Sequence, residues 1–102
     1  MLQEMIDSFE PIISDEGGYW FVAYKVAKML GVKNIRNRAI DLPEKDRKHL
    51  KAAVEVSGKR VEREHVLVVS EAGLYRLISM SQTSEAKKYQ DMLIQTLCER
   101  RK

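Results

Sequence analysis

The sequence has one cysteine, Cys98, among its 102 residues. A single cysteine cannot form an internal disulfide, and this usage is typical of a reducing intracellular compartment. The longest apolar runs have strand length, well short of the roughly 18 residues that a membrane span needs. The N-terminal region carries Glu4 and Asp7 where a secretory signal would carry positive charge. We therefore expect residues 1–102 to form one intracellular domain with a single core and no membrane association.

Motifs of catalytic and cofactor-binding sites are also missing. The sequence contains no GxGxxG, no GxxxxGK[ST], no HExxH and no GxSxG. His49 and His65 have no second ligand three or four residues further on, and Cys98 is remote from both in sequence. The carboxylates are interleaved with lysine and arginine, as in surface ion pairs. We expect no enzyme activity, no catalytic residues, no metal and no cofactor.

Charge is abundant but unevenly distributed. Residues 1–24 contain five acidic and no basic side chains, for a net charge of −5. Residues 25–51 contain nine basic and three acidic side chains, for +6, and the remainder carries +2, in agreement with the overall +3. A concentrated positive segment is what a nucleic-acid surface needs, because phosphates are neutralised locally. A solvated surface would show the same pattern, so charge alone leaves both interpretations open.

Hydrophobic periodicity predicts eight elements in the order β-β-α-α-β-β-α-α. This order indicates an α+β fold with a small, mainly antiparallel sheet, a β-hairpin and about four short helices. The predicted strands cover residues 9–13, 19–23, 49–56 and 61–69, and the predicted helices cover residues 24–30 and 35–41 and the segments after Ser70 and Ser84.

Local signals define several boundaries. A turn at residues 14–18 should join the first two strands, and residues 57–60 should turn the hairpin. Gly31 is expected to end the first helix, and Pro43 prevents the second from continuing. The expected helix N-caps are Asn34, Ser70 and Ser84.

Four groups of residues resemble the N-terminal Bro domain, a module of baculovirus repeated-open-reading-frame proteins and of phage antirepressors. The resemblance covers roughly residues 19–97, most of the chain. Each group is weak alone, but their order and spacing are hard to obtain by chance. The groups are Trp20-Phe21-Val22 with Val26-Ala27 and Leu30-Gly31, then Glu44-Lys45-Asp46-Arg47, then Ser70-Glu71-Ala72-Gly73-Leu74-Tyr75 with Leu77-Ile78, and finally Ala86 with Tyr89-Gln90.

The resemblance implies a DNA-binding module of a viral or prophage regulatory protein, similar to an antirepressor and acting in transcription or replication. It implies double-stranded DNA as the partner, and a location in the bacterial cytoplasm or in the nucleus or cytoplasm of an infected cell. A homodimer stays open, and the C-terminal effector domain that often follows is absent or outside this sequence. Two departures are the shortened segment 40–46 and Lys25, where the family commonly has aspartate.

The densest polar and basic cluster lies between and within the two predicted helices of residues 24–41. Arginine and asparagine suit base edges, lysine suits phosphates, and a two-stranded ribbon fits the major groove. The candidate DNA-binding residues are Lys25, Lys28, Lys33, Asn34, Arg36, Asn37 and Arg38, and in the hairpin Lys59, Arg60 and Arg63. Helix capping and solvation would also explain the first group, and Glu62 and Glu64 dilute the charge of the second.

Three further expectations concern how these residues act. Arg36 and Arg38 lie about 200° apart around a helix axis, so they cannot both face the same groove floor. Trp20 and Phe21 lie in the most apolar run, so core packing is expected for them rather than stacking on bases. The alternative to DNA binding is a protein-interaction module whose basic face engages an acidic partner.

Overall fold

A computed structural model describes residues 2–13 and 18–100 and shows an α+β fold, as expected. In chain order the elements are α1 (Leu2–Ser8), β1 (Ile12–Ile13), β2 (Tyr19–Val22), α2 (Ala23–Leu30), α3 (Ile35–Ala39), a short 3₁₀ turn (Glu44–Asp46), β3 (Arg47–Val56), β4 (Lys59–Ser70), α4 (Glu71–Met80) and α5 (Ser84–Arg100). The predicted turn at residues 14–18 lies almost entirely outside the described residues. Within the described ranges, no helix is long and apolar enough to cross a membrane.

The sheet is antiparallel, with the strand order β1-β2-β4-β3. The predicted hairpin is confirmed and is longer than expected. Its turn is made by Ser57 and Gly58, which both have positive φ (50° and 79°), as a two-residue type I′ turn requires. The pairing register shifts between Leu50 and Ala52, where β4 carries one more residue than β3. Such a bulge bends and twists the strand that contains it.

The N-terminal segment was predicted wrongly. Helix α1 precedes the sheet, so the chain begins α-β-β rather than β-β, and the strand expected at residues 9–13 shrinks to the two residues of β1. Met5, Ile6 and Phe9 are buried, and their spacing places them on one side of a helical turn. Pro11 cannot continue the helix, and β1 begins directly after it. A short segment with so few apolar residues fits either the helical or the strand periodicity, and packing against the core selects the helix.

The helices differ in number, length and capping from the prediction. There are five described α-helices rather than about four, and α5 spans 17 residues. Gly31 ends α2 with a φ of 65°, as expected. Asn34 is the N-cap of α3, but with φ 58° it accepts the amide hydrogens of Asn37 and Arg38 through its backbone carbonyl. The cap of α5 is Thr83, whose hydroxyl accepts the Ala86 amide hydrogen, and not Ser84.

The two faces of the sheet carry separate apolar clusters. Phe21 and Val69 lie opposite each other and are fully buried in the main core, which contains residues of α1, α2, α4 and α5. Val22 and Val68 form the centre of a smaller cluster on the other face. Trp20 belongs to this second cluster and is only partly buried, with the Lys48 ammonium 4.0 Å from its ring centroid. The expected core position is therefore confirmed for Phe21. Trp20 is less buried than expected.

Two of the sequence groups that support the resemblance meet at the start of α4. The Ser70 hydroxyl accepts the amide hydrogen of Gly73 (3.0 Å) and donates to the Asp46 carboxylate (2.8 Å). Asp46 is 5% exposed. A Cβ at position 73 would lie 2.9 Å from the backbone oxygen of Asp46, so only glycine allows this approach. The junction fixes the 3₁₀ turn against the N-terminus of α4.

Candidate nucleic-acid interface

The path of β2 leaves one side of β4 open to a groove. β2 pairs with β4 through Trp20, Phe21 and Val22, and the chain then turns directly into α2. The outer part of β4, residues 59–67, has β3 on one side. On its other side it faces α2 and α3 across a groove of about 860 Å³. The bulge in β4 lies where Arg63 and His65 line this groove.

The groove brings together basic side chains that are far apart in sequence. Lys25 and Lys28 come from α2, Arg36 comes from α3, and Arg63 and His65 come from β4. The two candidate clusters, one in the helices and one in the hairpin, are therefore joined in part into a single basic surface. We call these five residues the basic groove.

The groove is also lined by apolar side chains. Its apolar lining includes Val22, Ile35, Val54, Val56 and Val66. Val56 is among the exposed large hydrophobic residues of the chain. The side chain of Tyr24, which is 65% exposed, also lines the groove. The site therefore combines basic side chains, which can hold a polyanion, with apolar and aromatic side chains that can make further contacts.

Six of the ten predicted residues do not line this groove, although all six are exposed. They are Lys33, Asn34, Asn37, Arg38, Lys59 and Arg60. Lys59 and Arg60 directly follow the turn residues Ser57 and Gly58, which close one end of the groove. Arg36 lines the groove and Arg38 does not, so the two side chains diverge as their helical spacing predicts.

One ion pair reduces the charge that the groove presents. Glu10 binds Lys25 through an ion pair of 2.5 Å. The hydrogen bond donated by Lys25, together with the charges of Lys25 and Arg60, lowers the pKa of the Glu10 carboxyl below its ordinary value. By contrast, among the described residues no carboxylate lies within ion-pair distance of Lys28, Arg36 or Arg63. Lys25 is therefore partly neutralised, and the other three keep their charge.

The hairpin carboxylates do not neutralise Arg63. Glu62 and Glu64 each lie 3.8 Å from the Lys51 ammonium on β3. Arg63 is opposite Ala52 in the register and Glu62 is opposite Ala53, and neighbouring residues of a strand point to opposite faces. Glu62 and Glu64 were expected to dilute the charge of the hairpin. They reduce the charge at Arg63 less than expected, because they are turned away from it and form ion pairs with Lys51.

Sequence reasoning missed three residues of the site. His65 was considered only as a metal ligand, although its alternation with Arg63 in β4 is a signal that was visible in sequence. Glu55 lines the groove beside the turn. Glu10 lies 15 positions before Lys25, and no local pattern links the two. In the part of the chain that the structure describes, no three His, Cys, Asp or Glu side chains are grouped so as to hold a metal ion.

Comparison with known proteins gives one match. The sequence model described as the BRO family, N-terminal domain, matches residues 9–99. This range covers nearly the whole chain and includes every residue of the basic groove. No curated protein and no solved structure matches the chain.

Proposed function

The chain belongs to the BRO family of N-terminal domains, and from this premise we propose that it binds duplex DNA as a module of a viral or prophage regulatory protein. The family is one of non-catalytic modules. The observation that carries the proposal is the basic groove, in which Lys28, Arg36 and Arg63 converge from α2, α3 and β4 without a described carboxylate partner. Three cations that line one groove and have no ion-pair partner among the described residues favour a polyanionic ligand.

The groove suggests separate tasks for its side chains. Lys28 is exposed on α2 and suits a backbone phosphate, which it would neutralise without reading sequence. Arg36 comes from α3 and Arg63 from β4, and either can donate two hydrogen bonds to a guanine edge or to a phosphate. The hairpin of β3 and β4 is a two-stranded ribbon, and its width matches the major groove of B-form DNA. We therefore place the duplex along the hairpin, with α2 on its backbone.

A salt series on the intact chain tests this proposal. Binding of random and defined duplexes should weaken as salt rises from roughly 50 to 200 mM, with a slope of log K of roughly −0.9 for each phosphate contact. Four to six contacts are expected, as about that many basic side chains surround the groove. An affinity that does not change with salt would contradict the electrostatic mechanism.

Arg36→Ala and Arg38→Ala form a matched pair of variants. Both residues are exposed on α3, but only Arg36 lines the groove. Loss of Arg36 should cost about 1–3 kcal/mol if it contacts a base, with relaxed preference at one position, whereas loss of Arg38 should have a small and sequence-independent effect. Lys28→Ala should weaken all sequences alike and lower the salt slope by about one. Equal losses for Arg36 and Arg38 would show that the groove is not the interface.

The apolar part of the lining favours one other ligand, an acidic protein segment, because Val54, Val56 and Val66 could accept its apolar side chains. Salt dependence alone does not separate these two functions, since both are electrostatic. Competition does: duplex DNA should displace labelled duplex from the protein more effectively than heparin, single strands, RNA or polyglutamate at equal charge. A stronger effect of polyglutamate would favour the protein partner.

A further inference from the structure

Glu10 occupies an unusual position beside the basic groove. It lies two residues after the end of α1, and its backbone has a φ of 54°, a region that non-glycine residues seldom adopt. Its amide donates to the carbonyl of Asp7 (3.0 Å), which folds the chain back at this point. The side chain is 70% exposed and yet binds Lys25, whose side chain is only 33% exposed. The turn thus places the Glu10 carboxylate against Lys25, which lines the groove.

The surroundings of this carboxylate are those of an anion site. Lys25 lies in the first turn of α2, where the partial positive charge of the helix adds to that of its ammonium. Arg60, on the hairpin, contributes further positive potential at Glu10. Because Lys25 also lines the groove, an anionic oxygen bound here contacts the basic groove.

We propose that the Glu10 carboxylate is a built-in competitor for a DNA backbone phosphate at Lys25. In the free domain it occupies the ammonium group of Lys25, and a phosphate entering the groove displaces it. The inference rests on the proposed DNA binding. It adds to that function a limit on affinity: Lys25 contributes little while Glu10 is present.

The exchange is feasible because exposed ion pairs are weak and are screened by salt. Removal of the Glu10 charge should strengthen DNA binding roughly two- to fivefold, which corresponds to the usual range for one exposed ion pair. It should also steepen the salt slope by up to about 0.9, because in the natural chain the displaced Glu10 carboxylate takes up a cation that offsets the one released from the phosphate at Lys25.

The test compares Glu10→Gln with Glu99→Gln in the intact chain. Both changes remove one negative charge from an exposed side chain, but Glu99 lies on α5, which supplies no described residue to the groove. The measurement is fluorescence anisotropy of a labelled random-sequence duplex, titrated over roughly 50 to 200 mM salt. We expect the gain and the steeper slope for Glu10→Gln and a smaller gain with an unchanged slope for Glu99→Gln. Equal effects of the two variants would overturn the inference.

Lys25→Met supplies the second arm. If Glu10 acts through Lys25, Glu10→Gln should change binding far less in the Lys25→Met background than in the natural chain. An undiminished gain there would overturn the inference. Circular dichroism establishes that each variant is folded, and Glu10→Ala replaces Glu10→Gln if the latter is not.

The outcome also separates this inference from the proposed function. If the natural chain binds duplex in a salt-dependent way and Arg36→Ala weakens it, while Glu10→Gln equals Glu99→Gln, only the inference fails. If neither the natural chain nor Glu10→Gln binds duplex DNA, the proposed function fails and the inference with it. Binding by Glu10→Gln in the absence of binding by the natural chain would support both.

Discussion

Removal of the Ser70 hydroxyl should destabilise the domain far more than a typical surface substitution. This hydroxyl accepts the Gly73 amide hydrogen as the N-cap of α4 and donates to the buried Asp46 carboxylate. Loss of a serine N-cap costs about 1 kcal/mol. Loss of a hydrogen bond to a charged group costs about 1.5–3 kcal/mol. Because the two effects share one atom and are not strictly additive, we expect Ser70→Ala to lower the free energy of unfolding by about 2–4 kcal/mol.

Ser79→Ala is the matched control, since it makes the same change on the same helix. Ser79 is exposed, and its hydroxyl donates to the Tyr75 carbonyl within α4. Alanine is a better helix former than serine, so Ser79→Ala should change the free energy of unfolding by less than about 0.5 kcal/mol. Urea unfolding followed by circular dichroism measures the free energy of unfolding of both variants. In thermal unfolding, the Tm of Ser70→Ala should fall by roughly 10 °C or more.

A double-mutant cycle locates the effect. Ser70→Ala combined with Asp46→Ala should lose less stability than the sum of the two single losses, by about 0.5–3 kcal/mol, because the shared hydrogen bond is lost only once. The reasoning is refuted if Ser70→Ala is as stable as Ser79→Ala. It is also refuted if the two single losses simply add, since the bond between Ser70 and Asp46 would then contribute nothing.

Two further predictions concern packing. In urea unfolding, Gly73→Ala should be less stable than the natural chain by about 1 kcal/mol or more, because the new Cβ meets the Asp46 backbone. In an ordinary helix, replacing glycine by alanine raises stability by about that amount. A more stable variant would mean that the 3₁₀ turn shifts freely. Phe21→Ala should cost about 3–5 kcal/mol and Trp20→Ala distinctly less, since only Phe21 is fully buried. The order of their Tm values measures this difference, and the reverse order would place Trp20 in the main core.

Features governed by neighbouring residues were predictable from the sequence. Ser57 and Gly58 between two alternating apolar runs indicate a hairpin, because few residue pairs tolerate two positive φ angles in succession. Gly31 ends α2 and Ser70 caps α4 for similarly local reasons. The family was also recognisable, since its residue groups are read in order along the chain.

Features that depend on distant contacts were predicted partly or not at all. Helix α1 forms because Met5, Ile6 and Phe9 pack into the main core. The sequence of this segment by itself has no hydrophobic periodicity that favours a helix over a strand. Thr83 rather than Ser84 caps α5, since its hydroxyl also reaches the Leu30 carbonyl of α2. Propensity does not distinguish these two hydroxyl residues, but the position of α2 does.

The candidate site shows the same division. Residue type alone indicated that Lys28, Arg36 and Arg63 suit an anion, because charge and hydrogen-bonding geometry belong to the side chain. That these three line one groove, while Arg38 does not, follows from where β2 ends and from the bulge that bends β4. The ion pair of Glu10 with Lys25 joins residues with no common pattern. Only the tertiary structure brings such charges together, because Coulomb interactions depend on distance in space and not on separation along the chain.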